Sequence, residues 1–138
     1  MERRRFHPAA RLPVYAGAGF AFEAVFSALH DLQRGRRVTL RTSPWMLTVY
    51  ALLLPLYEPV HDRLRGRPFP LRASVYGLGF LAVEYVSGRA FRRLLGDAPW
   101  DYTYAKRHVD GLIRPDYFFL WALAGVLCER LHDALDPP

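Results

Sequence analysis

Four apolar runs alternate with polar links along the chain, at 12–29, 44–60, 73–87 and 115–131. The links carry arginine, glycine and proline, of which glycine and proline are the strongest breaks in a regular element. Each run is about 15 to 18 residues long, the lower edge of what a helix needs to cross a bilayer core of about 30 Å. None is free of charge for its whole length, because Glu23, Glu58, Glu84 and Glu129 fall inside or at the end of a run. The distribution around each helix says more than the distribution along it. A helix of a soluble bundle turns a polar face to water. The stretch 117–128 has no such face, and 44–57 offers only Thr48 and two tyrosines. In a chain of 138 residues no outer shell is large enough to bury two such helices, so lipid is the simplest solvent for them. The pattern predicts an all-α fold, a four-transmembrane-helix bundle in one integral membrane domain over 1–138. Its helices are expected at about 12–32, 44–62, 71–94 and 115–134, with an interfacial loop at 95–114.

Composition narrows the picture. With 51% hydrophobic and 14% aromatic residues the chain cannot be a disordered tail. Cys128 is the sole cysteine, which excludes an internal disulfide and a thiolate zinc site. The net charge of +6 comes from eighteen arginines and Lys106, spread over every polar stretch. That spread suits the phosphates of a lipid surface and not one nucleic-acid patch, so a bilayer is the expected partner and nucleic acid is not. Lys and Arg number nine on the N-terminal side of four spans and ten on the other, so the positive-inside rule assigns no orientation. Arg3, Arg4 and Arg5 precede an apolar run as in a signal peptide, but Glu23 interrupts that run and no small-residue cleavage site follows, so the segment is expected to be retained.

An internal repeat is the most informative feature. Setting Glu58 on Glu129 also sets Pro44 on Pro115, Ala51 on Ala122, Leu52 on Leu123, Leu56 on Leu127, His61 on His132, Asp62 on Asp133 and Leu64 on Leu135. Setting Glu23 on Glu84 pairs Tyr15 with Tyr76, Ala21 with Ala82 and Val25 with Val86, a weaker match. The bundle is therefore expected to consist of two repeated helical hairpins, related by a pseudo-twofold axis along the membrane normal.

Each hairpin offers one glutamate within a helix and a Glu-x-x-His on the returning helix. Glu23, Glu58, His61, Glu84, Glu129 and His132 reproduce the ligand types of dinuclear carboxylate bundles, which makes iron, manganese or zinc a candidate cofactor. Glu23 lies about 15 Å along a helix begun at Pro13 and Glu58 about 21 Å along one begun at Pro44, so a common layer is feasible. The metal-free alternative treats the same residues as helix ends at the interface. A charge at the bilayer centre costs about 2.5–3.5 kcal/mol, so Glu23, Glu58, Glu84 and Glu129 are expected to converge into a core that binds a cation or protons. Pro99, Trp100, Asp101 and Tyr102 read as an interfacial turn, with the aromatics at headgroup depth and Asp101 as a cap.

Gly19-Phe20-Ala21-Phe22-Glu23 with Phe26-Ser27-Ala28, Ser43-Pro44-Trp45-Met46 with Tyr50, Glu84-Tyr85-Val86-Ser87-Gly88, Pro99-Trp100-Asp101-Tyr102, Gly111-Leu112-Ile113, Asp116-Tyr117, Trp121, Gly125 and Glu129 together resemble the transmembrane protein 229 family. That family is grouped with bacterial proteins labelled ABC-transporter permeases of the CmpB type. The resemblance covers about residues 14–131 and implies a four-span integral protein of the bacterial cytoplasmic membrane. It implies glutamates at Glu23, Glu58, Glu84 and Glu129, whereas His61 and His132 depart from the family pattern. Ala98 stands where the family often has cysteine, which removes any thiol role there.

No Gly-x4-Gly-Lys-Ser/Thr is present, so an ATPase partner would be a separate subunit. Another membrane subunit or a second copy of the chain is a further candidate partner. The residues favour a transporter or permease-like component first, a structural or assembly membrane protein second, and a dinuclear metal enzyme third. No catalytic serine, cysteine or lysine constellation is evident, which counts against an enzyme.

Overall fold

The computed structural model describes residues 6–38 and 43–138, and among these the chain is helix and loop, with a single isolated bridge between Val109 and Ile113. The all-α class expected from the pattern is the class observed. Arg3, Arg4 and Arg5, which carried the signal-peptide reading, lie outside the described residues. The chain divides into two compact units, 6–55 and 56–138.

In unit 6–55, helix α1 runs Pro8–Gln33 and packs against α2, Pro44–Ala51. His7 Nδ1 accepts from the Ala9 N–H at 3.2 Å and Pro8 occupies the first turn, where its missing N–H costs no bond. Ser43 caps α2 in the same way, its hydroxyl accepting from the Trp45 N–H at 3.4 Å. Tyr50 lies against Gly19 of α1, and its hydroxyl comes within 3.5 Å of Glu23 Oε2.

Unit 56–138 begins inside a π-helical turn, Leu53–Tyr57, that leads into α3, Glu58–Leu64. Where the pattern predicts one helix over 44–62, the structure has two α-helical pieces joined by this wider turn. Pro55 is the physical reason, since its ring has no N–H to give and crowds the carbonyl one turn back. Helix α4, Phe69–Leu95, ends on Gly96 at φ +86°, and the loop 97–114 leads through a 3-10 turn, Pro115–Tyr117, into α5, Phe118–Leu135. Helices α4 and α5 pair in opposite directions: Arg72 meets Glu129, Tyr76 lies on Gly125, and Glu84 meets Trp121.

The interior of this unit is unusual. His61 and His132 are among its most deeply buried side chains, at 2% and 0% exposure, beside Tyr76 and Leu112. Outside, Phe119, Leu123 and Leu127 form an exposed apolar row at helical spacing on α5, and Leu71, Leu78 and Val86 are exposed on α4. Among the described residues, α1 is the one helix long and apolar enough to cross a membrane by length and composition. Helix α3 has seven residues, and the polar residues that α4 and α5 carry lower their average hydropathy although large apolar side chains are exposed on both.

Candidate functional site

The two Glu-x-x-His-Asp segments of the repeat meet in unit 56–138. Spacing of three residues puts Glu58 and His61 on one face of α3, and Glu129 and His132 on one face of α5. The contacts are exchanged between copies. His132 Nδ1 lies 3.3 Å from Glu58 Oε1 and its Nε2 3.4 Å from Asp62 Oδ1. His61 Nδ1 lies 3.6 Å from Glu129 Oε2 and its Nε2 3.2 Å from Asp133 Oδ1. The two rings meet edge to face with centroids 5.2 Å apart.

Glu129 is held on three sides. Arg72 donates to both its oxygens, at 3.0 and 2.9 Å, in the forked geometry a guanidinium suits, and the Tyr76 hydroxyl donates at 3.0 Å. Tyr76 O is also 2.8 Å from His61 Nδ1. With its hydrogen given to Glu129, Tyr76 accepts from His61, which places a proton on Nδ1 of that ring. The Tyr57 ring stacks on His61 at 5.9 Å and donates its hydroxyl to the Gly125 carbonyl at 2.6 Å. Arg65 bridges the outer rim, its Nε 3.0 Å from Asp62 Oδ1 and its Nη1 2.6 Å from Asp133 Oδ1.

A neutral imidazole carries one N–H, yet both rings face carboxylates with both nitrogens. The cluster therefore calls for additional protons or for a cation at the Nε2 atoms. Nitrogen and oxygen atoms of His61, Asp62 and His132 lie within 4.8 Å of one another, a spacing from which a metal ion could be gripped.

Of the residues expected at a metal or cation centre, Glu58, His61, Glu129 and His132 are thus brought together. Glu84 is not beside them. It accepts from the Tyr102 hydroxyl at 2.7 Å and the Trp121 Nε1 at 3.1 Å, eight residues along α4 from Tyr76, or about 12 Å. Glu23 belongs to unit 6–55, near Tyr50. Asp62, Asp133, Arg65, Arg72 and Tyr76 are the residues that sequence reasoning left out of the site. The repeat itself held the signal for three of them, since Asp62 matches Asp133 and Tyr15 matches Tyr76. Nothing in spacing marks the two arginines.

In the loop, Asp101 accepts from the Thr103 N–H at 2.9 Å and from its hydroxyl at 2.8 Å, the capping role expected of it. These bonds, the backbone one foremost, hold the Asp101 carboxyl below the ordinary carboxylate range. Trp100 Nε1 donates to the Leu112 carbonyl at 2.8 Å. Tyr102 turns inward to Glu84, and burial first, then the neighbouring carboxylate, pushes its phenol well above the ordinary range.

The sequence model of a protein family described as putative ABC-transporter type IV matches residues 12–135. No solved structure matches the chain.

Proposed function

We propose, from the premise that this chain belongs to that ABC-transporter type IV family, that it is a membrane-embedded component of a transport system whose buried carboxylates handle a cation. The observation that carries the reading is the inverted polarity of unit 56–138, with Glu58, His61, Glu129 and His132 inside and Phe119, Leu123 and Leu127 outside. In water that arrangement is unfavourable on both sides, because it desolvates ions and exposes a contiguous apolar surface. In a bilayer the outer rows meet acyl chains, while ionisable groups turn to one another and mark an ion path. Two further helix carboxylates lie near tyrosine hydroxyls away from this cluster, Glu84 by Tyr102 in the same unit and Glu23 by Tyr50 in unit 6–55. The arginine-bearing links suit lipid phosphates, and nucleotide hydrolysis falls to a separate subunit. The bacterial cytoplasmic membrane and the likeness to transmembrane protein 229 proteins belong to the same reading.

The test uses inverted membrane vesicles from cells expressing the full chain. The protein is expected to stay in the membrane pellet after alkaline carbonate. Energised uptake of labelled rubidium, calcium, manganese or zinc is expected to fall at least about tenfold when Glu58→Gln and Glu129→Gln are combined. Release by carbonate, or uptake that the double variant leaves unchanged, would overturn the reading and leave the glutamates a purely structural role.

A further inference from the structure

We propose that Nε2 of His61, Nε2 of His132 and the carboxylates of Asp62 and Asp133 form a mononuclear site for a divalent transition-metal ion, and that Glu58 and Glu129 act as anchors behind the rings. The site stands on its own geometry and does not rest on the transport reading.

The two faces of each ring differ. Toward Nδ1 lie buried groups that fix the ring: the Tyr76 hydroxyl and Glu129 for His61, and Glu58 for His132. A carboxylate or phenol that takes the Nδ1 proton sets the tautomer and turns the Nε2 lone pair toward a metal, the usual support of a ligating histidine. Toward Nε2 each ring meets an aspartate of the other copy, at 3.2 Å for His61 and 3.4 Å for His132. A lone pair facing a carboxylate oxygen is repulsive unless a proton or a metal ion stands between them, and at this pair of sites one metal ion can serve both rings. The rings are buried, at 2% and 1% side-chain exposure, whereas Asp133 and Asp62 are 39% and 53% exposed. The histidines are thus preset, and the aspartates, joined at the rim by Arg65, lie on the open side from which an ion would arrive. Ligand atoms around a tetrahedral ion with bonds of about 2.0–2.2 Å lie about 3.3 Å apart. The observed span of at most 4.8 Å for His61, Asp62 and His132 is about 1.5 Å wider than that, so the three side chains need only a modest closing, with Asp133 joining from its place 3.2 Å from His61 Nε2.

Charge points the same way. Glu58, Asp62, Glu129 and Asp133 bring four negative charges and Arg65 and Arg72 return two, so one divalent ion balances the cluster with both histidines neutral. Arg65 does not exhaust the aspartates, because each carboxylate offers about four lone-pair sites. Two imidazoles with two carboxylates suit Zn²⁺, and also Co²⁺, Mn²⁺ or Fe²⁺.

The experiment titrates Co²⁺, and separately Zn²⁺, into the detergent-purified full chain after chelator treatment. Co²⁺ is read by its visible absorption and Zn²⁺ by elemental analysis after gel filtration. One ion per chain is expected, lost on His61→Ala or His132→Ala. Combining Asp62→Asn with Asp133→Asn, at positions exposed enough to spare the fold, is expected to weaken binding at least about tenfold. Glu58→Gln is expected to weaken it about 10- to 100-fold while keeping one ion per chain, as loss of a supporting group does. Asp116→Asn, in a separate loop, is expected to leave binding unchanged. Substoichiometric binding by the unaltered chain, or equal binding by the aspartate double variant, would overturn the site. A chain that transports without binding metal sinks this inference alone, and one that binds metal but leaves the membrane with carbonate sinks the transport reading alone.

Discussion

Glu84 receives one hydrogen bond from a phenol and one from an indole, both uncharged donors, whereas Glu129 is gripped by a guanidinium. Tyr102→Phe removes one bond to a charged acceptor and is expected to cost about 1.5–3 kcal/mol, read as a lowered unfolding midpoint in detergent. An unchanged midpoint would show that Glu84 finds another donor at no cost. Asp101 supplies a pH dependence. Its folded carboxyl titrates below the ordinary aspartate range, so its contribution to loop order is complete above that range and is lost as pH falls through the lower folded value. Protease sensitivity of the loop 97–114 is therefore expected to rise only below about pH 4, and Asp101→Asn is expected to give that sensitivity at neutral pH as well. The cap was legible in the sequence because an Asp-x-Thr turn is a local device. The inward turn of Tyr102 was not, since its partner lies 18 residues away and the loop folds back through a Tyr102 N–H to Gly111 carbonyl bond of 2.8 Å.

Helices α4 and α5 approach closely because Gly125 leaves room for Tyr76. A Cβ at Gly125 would run into the Tyr76 side chain, while one at Gly79 would meet nothing within 4 Å. Gly125→Ala is therefore expected to destabilise by about 1–3 kcal/mol through overpacking. Gly79→Ala is expected to be neutral or to stabilise by up to about 1 kcal/mol, alanine being the better helix former. Matched thermal melts of the two variants check the pair, and equal shifts would refute the packing account. The Gly125→Ala change should also disturb His61, because Tyr76 holds its Nδ1. The helical character of these segments was legible from long apolar runs. The π turn at Leu53–Tyr57 was written in Pro55, but hydropathy smooths over a single residue. That turn lies next to the cluster, since it ends at Tyr57, whose ring stacks on His61, and Glu58 follows at once.

At the scale of the whole chain, the repeat announced that Glu58-x-x-His61-Asp62 and Glu129-x-x-His132-Asp133 are equivalent, but not that each would be completed by the other. Spacing put Glu and His of each segment on one helix face and so allowed a site gathered from both hairpins, without saying which side chain of one segment meets which of the other. A double-mutant cycle distinguishes the arrangements: Glu58→Gln with His132→Gln is expected to show about 0.5–3 kcal/mol of coupling, and Glu58→Gln with His61→Gln less. Larger coupling within a copy would contradict the exchange. The exchange also bears on how such a chain varies over time. Residue i of one segment touching j of the other, and j touching i, is the contact pattern of an isologous dimer, here written into a single polypeptide. A substitution at Glu58 is felt at His132, a position far along the chain, and not first by its neighbours in sequence. The two segments are therefore bound to drift in concert, and a gene encoding only one of them would have to find its missing half in a second molecule of itself.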